Sequence, residues 1–141
     1  MLRKNIILNR DFWNDKYVKS ETGWDVGKIT TPLKEYFDQL NNKKIKILIP
    51  GCGNAYEAEY LFKNNFLSTF LLDYSDQALR NFKRRVPAFS KSQLLNKDFF
   101  DGHGKYDLII EQTFFCAIDK NRRSDYFSQM NNLLKANGKL V

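Results

Sequence analysis

Lys46-Ile47-Leu48-Ile49-Pro50-Gly51-Cys52-Gly53-Asn54-Ala55-Tyr56-Glu57 is an apolar run that ends abruptly in two glycines one residue apart and leads into a helix-forming stretch. A run of β-branched and aliphatic residues in this setting reads as a buried strand. Gly51 and Gly53 can take backbone angles closed to other residues, and they leave no side chain in the way. A ligand can therefore lie directly against the turn, next to the N-terminus of the following helix, which is how a nucleotide-binding α/β unit begins. The glycines alone decide little. About 20 residues on, where such a unit carries its acid, Phe70-Leu71-Leu72-Asp73-Tyr74-Ser75 is a second apolar run that ends in a carboxylate. An acid at the tip of the second strand is placed to accept hydrogen bonds from both hydroxyls of a ribose.

Outward from these two strands the pattern keeps alternating. The first strand is expected over 45–50 and the next helix over 55–64, with Ala58, Leu61 and Phe62 inward. The second strand covers 68–73, and Ser75 can cap a helix whose buried stripe is Ala78, Leu79, Phe82 and Val86, until Pro87 stops it. A short third strand fits Gln93-Leu94-Leu95-Asn96 and leads to Lys97-Asp98-Phe99-Phe100-Asp101. Gly102 and Gly104 form a loop before a strong fourth strand, 106–112, with Thr113-Phe114-Phe115-Cys116-Ala117-Ile118 at its carboxyl end. A helix over 122–135 turns Tyr126, Phe127, Met130, Leu133 and Leu134 inward, Asn137-Gly138 reads as its stop, and Lys139-Leu140-Val141 as the opening of a fifth strand. On the N-terminal side, Thr31 as N-cap and Pro32 as first helical residue begin a helix carrying Leu33, Tyr36, Phe37 and Leu40. Within 11–19, Phe12, Trp13 and Tyr17 can share one face of a short helix. Thr22-Gly23-Trp24-Asp25-Val26-Gly27 is a loop with an aromatic between glycines, either a hydrophobic anchor for the N-terminal arm or a lid over a ligand. Strands alternating with helices predict a parallel sheet covered on both faces, with ligands at the carboxyl edge of its strands. We read one domain over 1–141, made of an aromatic arm and helix (1–44) and an α/β core (45–141).

The 141 residues, 43% of them hydrophobic, suffice for one core, and 12 Phe, 7 Tyr and 2 Trp leave aromatics over to line a pocket. The net charge is +7, but the basic residues are scattered. The densest run, Lys83-Arg84-Arg85, reads as a solvated helix face, and a nucleic-acid partner is not expected. Cys52 and Cys116 lie far apart in apolar company and read as free thiols of a reducing cytoplasm, Cys116 as a small buried thiol in a packed segment. No Cys/His cluster suggests a metal, and the lone His103, between two glycines, reads as a solvent-facing loop residue. No run could span a membrane, and the apolar core within Met1–Asn9 is too short for a signal peptide.

Three positions converge on the carboxyl edge: the 51–53 turn, Asp73 and Asp98. Asp98 beside Phe99 suits an adenine ring, the carboxylate toward its exocyclic amine and the phenyl against its face. A dinucleotide site would share the glycines and Asp73 but would seat its pyrophosphate on a third glycine, where this chain has Tyr56. The glycine turn, Asp73 and Asp98-Phe99 resemble the nucleoside motifs of Rossmann-like methyltransferases that use S-adenosylmethionine. More narrowly, Phe12-Trp13, Gly23-Trp24-Asp25-x-Gly27, Pro32, Ile49 to Gly53, Leu72 to Ser75, Asp98-Phe99-Phe100 and the 113–118 segment resemble the thiopurine methyltransferase superfamily. Within it, Thr113 to Ile118 is similar to the halide/thiol methyltransferase branch.

The resemblance implies an α/β fold, a Rossmann-like class I methyltransferase sheet with helices on both faces. It implies S-adenosylmethionine as donor and S-adenosylhomocysteine as product, with Trp13 and Trp24 enclosing the cofactor and Gly51 and Gly53 against its amino-acid portion. Asp73 with Tyr74, and Asp98 with Phe99, would hold the nucleoside. The acceptor would be a small soft nucleophile (a thiol, a thiopurine-like compound or a halide), needing positioning and desolvation rather than a metal or a general base. Glu111, Phe114 and Phe115 are the acceptor-side candidates, and Glu111 could instead contact the cofactor's amino group or be structural. Enzymes of this resemblance continue past the fifth strand, so the chain is expected to be a form truncated after that strand's start, a monomer or a weak dimer through an exposed sheet edge. An RNA or protein methyltransferase, favoured only by the charge, and a cofactor-binding chain without activity are the alternatives.

Overall fold

The computed structural model describes residues 6–141. Five strands, β1 (Ile47–Pro50), β2 (Thr69–Asp73), β3 (Leu94–Asn96), β4 (Tyr106–Ile109) and β5 (Leu134–Leu140), form one sheet in the order β3-β2-β1-β4-β5. All four pairings are parallel. The central strand, β1, is buried along its whole length and pairs Ile47 to Thr69 on one side and to Leu108 on the other. The helices are α1 (Arg10–Val18), α2 (Thr31–Asp38), α3 (Tyr56–Lys63), α4 (Asp76–Arg85), a single turn α5 (Phe114–Ala117) and α6 (Arg123–Leu133).

Alternate residues of the strands enter opposite layers, as the two-residue strand period requires. Ile47 and Ile49 join Phe37, Leu61, Leu79 and Phe82 from α2, α3 and α4 on one face. Leu48 and Ile109 join Phe99, Tyr126, Met130 and Leu133 on the other. The sheet is thus covered on both sides, and the carboxyl ends of its strands share one edge.

Local chemistry explains the elements. The Ser75 hydroxyl accepts from the Ala78 amide at 3.1 Å and caps α4, which ends before Pro87. The basic run closing α4 is tied into the molecule rather than solvated throughout. Lys83 donates to the carbonyls of Pro87 and Phe89, and Arg85 pairs with Glu59 on α3. Asn9 caps α1 through the Phe12 amide. Asn14 on α1 accepts from the Ser75 hydroxyl and the Gln77 amide, both at 3.0 Å, which fastens the arm to the start of α4.

Several sequence expectations shift. The N-cap of α2 is Thr30, without a side-chain cap bond, and Thr31 is already helical. Phe62 is only partly buried. Phe127 is 62% exposed, because the stripe of α6 runs through Tyr126, Met130 and Leu133 and leaves the next residue off it. α6 stops at Leu133, so Leu134 belongs to β5. Asn137, at φ 64°, is a left-handed residue inside that strand rather than a helix stop. The register jumps there, from Tyr106↔Leu134 to Leu108↔Lys139, so extra residues bulge out of β5. The reading of Met1–Asn9 as no signal peptide falls partly on residues 1–5, outside the described residues. Among the described residues no helix is long and apolar enough to cross a membrane.

Candidate active site

The turn after β1 is built around absent side chains. Gly51 has φ +56°, and a Cβ there would lie 2.1 Å from the Phe114 ring. Gly53 has φ +53°, and its Cβ would lie 2.5 Å from the Tyr17 hydroxyl. Both positions combine a left-handed backbone with close approach, which only glycine supplies without strain. Asp73, at the end of β2, is 7% exposed rather than standing free at a strand tip. One carboxylate oxygen accepts from the Gly53 amide at 2.9 Å and the other from the Ser75 amide at 2.8 Å. Burial raises its pKa, and the two amides oppose the rise. Asp73 therefore braces the glycine turn against α4, while each oxygen keeps lone-pair capacity for a ligand.

Asp98 is similarly held. The Tyr74 hydroxyl donates to one oxygen and the Phe100 amide to the other, the latter at 2.9 Å. Arg122 stands 3.6 Å from the Asp98 carboxylate, with its guanidinium 3.7 Å from the centre of the Phe100 ring. Burial, followed by the bond to Asp98, pushes the Tyr74 hydroxyl up to about 12, so it stays a neutral donor at physiological pH. Arg122 escaped the sequence reading, since nothing in a basic pair at a helix start announces a partner in a loop 24 positions away.

These groups surround a cavity of about 590 Å³. Gly51, Asp73, Tyr74, Asp98 and Phe99 are among its lining residues. Trp13, Trp24 and Phe114 line it as aromatic walls. Trp24 meets Trp13 edge to face at 5.8 Å and Tyr17 at 6.0 Å, and Phe99 meets Phe114 at 5.2 Å. Gly53 lies just beside, on a smaller adjoining cleft. The structure does not bring Glu111 or Phe115 to the cavity wall. The Glu111 carboxylate accepts from the Phe115 amide and caps the single turn α5, and Phe115 packs against Tyr126 at 4.9 Å. Cys116 also departs from expectation. α5 is one turn long and turns Ile118 inward, so Cys116 is exposed, lines the cavity, and directs its thiol to the Thr113 carbonyl at 3.0 Å. Cys52 is buried, and burial pushes its thiol well up; His103 is exposed.

The loop bearing Trp24 is latched. Asp25 accepts from the Asn54 side chain at 2.5 Å and from the Gly27 amide at 2.7 Å, and Asn54 in turn accepts from Asn81 at 3.1 Å. Asn14, Asn54 and Asn81 were invisible in sequence, because each acts on a partner 27 or more residues away.

A family model described as thiopurine S-methyltransferase matches residues 8–141. A protein named probable thiol methyltransferase 2, from Arabidopsis thaliana, is 28% identical over 134 residues, which are 92% of this chain and 59% of that protein. Thiocyanate methyltransferase 1 of the same organism is 26% identical over the same shares. The chain thus spans 59% of the length of these two relatives. Among solved structures, the 1,6-didemethyltoxoflavin-N1-methyltransferase of Burkholderia thailandensis superposes with a TM-score of 0.76 at 12% identity, over 93% of this chain and 58% of that one. That structure holds 1,6-didemethyltoxoflavin and S-adenosylhomocysteine.

Proposed function

This chain belongs to the thiopurine S-methyltransferase family, and on that premise we propose that it serves S-adenosylmethionine-dependent methyl transfer to a small soft nucleophile: a thiol, a thiopurine-like compound or a halide. The observation that carries the reading is one cavity in which the glycine turn, two strand-end carboxylates and an aromatic wall face each other. The names of the plant relatives, a thiol and a thiocyanate methyltransferase, point to the same class of acceptor.

The residues fit this cofactor. The two glycines let the Phe114 ring and the Tyr17 hydroxyl pack directly against the turn, where any Cβ would collide with them, and Gly51 still lines the cavity. When bound, S-adenosylmethionine supplies a methyl group on a sulfonium sulfur, which leaves as a neutral thioether while the acceptor's lone pair forms the new bond to carbon. Asp73 has lone pairs left that would serve the ribose hydroxyls, and Asp98, held by Tyr74 and the Phe100 amide, would accept from the adenine amine. Trp13, Trp24 and Phe114 line the cavity and would help keep water from the reacting groups and stabilise a cation near their rings. A thiolate or halide carries its own nucleophilic pair, so the wall contributed by Thr113, Cys116 and Ala117 need only hold it in line.

The test is an acceptor panel with labelled S-adenosylmethionine: an aromatic thiol, bisulfide, thiocyanate, iodide, bulk RNA and a protein mixture. Methylation of one or more of the small acceptors is expected. Label transfer to RNA or protein with none to the small acceptors would overturn the proposal.

A further inference from the structure

The basic residues that the sequence scatters are gathered by the fold. Parallel strands start at one edge of the sheet, opposite the cavity, and the helices that lead into them end there. Lys43, Lys44 and Lys46 precede β1, Lys91 precedes β3, Lys105 precedes β4, and Arg84 lies in the last turn of α4. All but Lys46 are exposed. Among the described residues, none of the six has an acid within ion-pair reach. The acids of this edge, Asp38 at the end of α2 and Asp107 near the start of β4, are already paired with Lys34 and Lys135. The carboxyl edge instead carries both signs, with Asp25, Glu57 and Asp73 beside Lys28 and Lys97. The chain's excess of 23 basic over 16 acidic residues therefore leans to the edge away from the cavity.

We propose that this amino edge docks on an anionic lipid surface. The inference is independent of the methyl-transfer reading. Charge complementarity fixes the sign of the partner, and the chemistry of the edge favours lipid over nucleic acid. Five of the six cations are lysines, compact point charges without the planar arginine fork that grips phosphates in pairs. A nucleic-acid groove stacks bases on exposed rings. Here Phe66 is buried with the Lys43 ammonium 4.1 Å from its centre, and the Lys46 ammonium stands 4.9 and 4.8 Å from the centres of the Phe70 and Tyr106 rings. A large apolar side chain that the edge does expose is Leu67, 59% exposed in the loop into β2, two residues after the left-handed Asn65. Gln93 donates to the Leu67 and Thr69 carbonyls at 2.8 and 2.9 Å, which ties this loop to the segment bearing Lys91, while Lys43 covers Phe66 from the other side of the sequence. Lysines around one aliphatic residue suit a headgroup layer, where ammonium groups meet phosphates and the apolar side chain reaches the acyl boundary. Docking of this kind needs no spanning helix, and it leaves the cavity on the side facing away from the surface.

The experiment is co-sedimentation at low salt with vesicles of phosphatidylcholine alone, and of phosphatidylcholine and phosphatidylserine in equal parts. The chain should sediment with the mixed vesicles, far less with the neutral ones, and be released by molar salt. A lysine close to such a surface is worth about fivefold in partition. The triple variant Lys44→Gln, Lys91→Gln, Lys105→Gln should therefore partition about a hundredfold less well. A control removes the same charge from the other edge: Lys28→Gln, Lys97→Gln, Lys120→Gln should bind much as wild type does. Leu67→Ser should weaken binding severalfold and leave its salt dependence in place. Equal losses for the two triple variants would mean that net charge is read rather than this edge, and overturn the proposal. A wild-type chain that stays in solution with the mixed vesicles overturns it too. So does one that binds polyuridylate under these conditions and ignores the vesicles, which assigns the edge to nucleic acid.

Discussion

Asp73 makes two buried hydrogen bonds before any ligand arrives, and this changes what its removal should do. Asp73→Ala orphans the Gly53 and Ser75 amides, and a buried donor left unpaired costs about 1–3 kcal/mol. The proposed ribose contact would be lost as well. We therefore expect a lower melting temperature together with weaker S-adenosylhomocysteine binding. Thermal melts and titration of the same preparation read both quantities, and an unchanged melting temperature would show that the bracing bonds contribute nothing. The candidate site was legible in sequence where a residue's placement follows from its own strand: glycines after β1, Asp73 at the end of β2 and Asp98 just past β3. It was not legible where the role depends on a partner reached only through the fold. Arg122 finds Asp98 from the start of α6, and Asn14 finds Ser75 across 61 positions. Cys116 and Phe115 were misjudged because a single helical turn can present either neighbour to the cavity, and no periodicity develops over four residues.

At the scale of elements, the N-terminal arm divides in two. The nine-residue α1 is docked: Tyr17 is buried and Asn14 holds α4. The loop 22–27 is fastened by Asp25 to Asn54, while Trp24 remains 40% exposed above the cavity. Of the two parts, the loop 22–27 is the one that could act as a lid. Segments that open easily have few buried contacts and few hydrogen bonds. Asn54→Ala should therefore speed amide exchange in 22–27 and leave α1 protected, and S-adenosylhomocysteine should slow exchange in that loop in both proteins. Equal exchange around Trp24 with and without the ligand would remove the lid. The same division explains which elements were readable. β1, β2, α3 and α4 follow strong apolar patterns with recognisable ends, Ser75 and Pro87 among them. The α6–β5 boundary misled because Asn137-Gly138 asks only for a left-handed residue, and a strand bulge meets that need as well as a helix end does.

For the whole molecule, the parallel order β3-β2-β1-β4-β5 sends every strand end to one edge, and several nucleotide ligands could use such an edge. What discriminates among them is the entry to α3. A dinucleotide places its pyrophosphate on a helix N-terminus that must be open and free of negative charge. Here the first turn of α3 carries Glu57 and Glu59, and Tyr56 fills the place of a third glycine with its ring 4.4 Å from the Arg85 guanidinium. Asp25 adds a further acid to the adjoining cleft. Glu59 is paired with Lys63 and Arg85, which leaves Glu57 as the acid of α3 whose repulsion a diphosphate would meet, together with the Tyr56 side chain where it needs bare backbone. An S-adenosyl ligand carries no phosphate and escapes that repulsion. S-adenosylhomocysteine at a hundred times its dissociation constant should stabilise the fold by about 2.7 kcal/mol, a melting-temperature rise on the order of 10 °C for a domain of this size. NAD at equal concentration should shift the midpoint by about a degree or less, since a ligand well below its dissociation constant stabilises little. Parallel melts with each ligand decide the matter, and an NAD shift as large as that of S-adenosylhomocysteine would mean that the acids of α3 do not govern what this edge accepts.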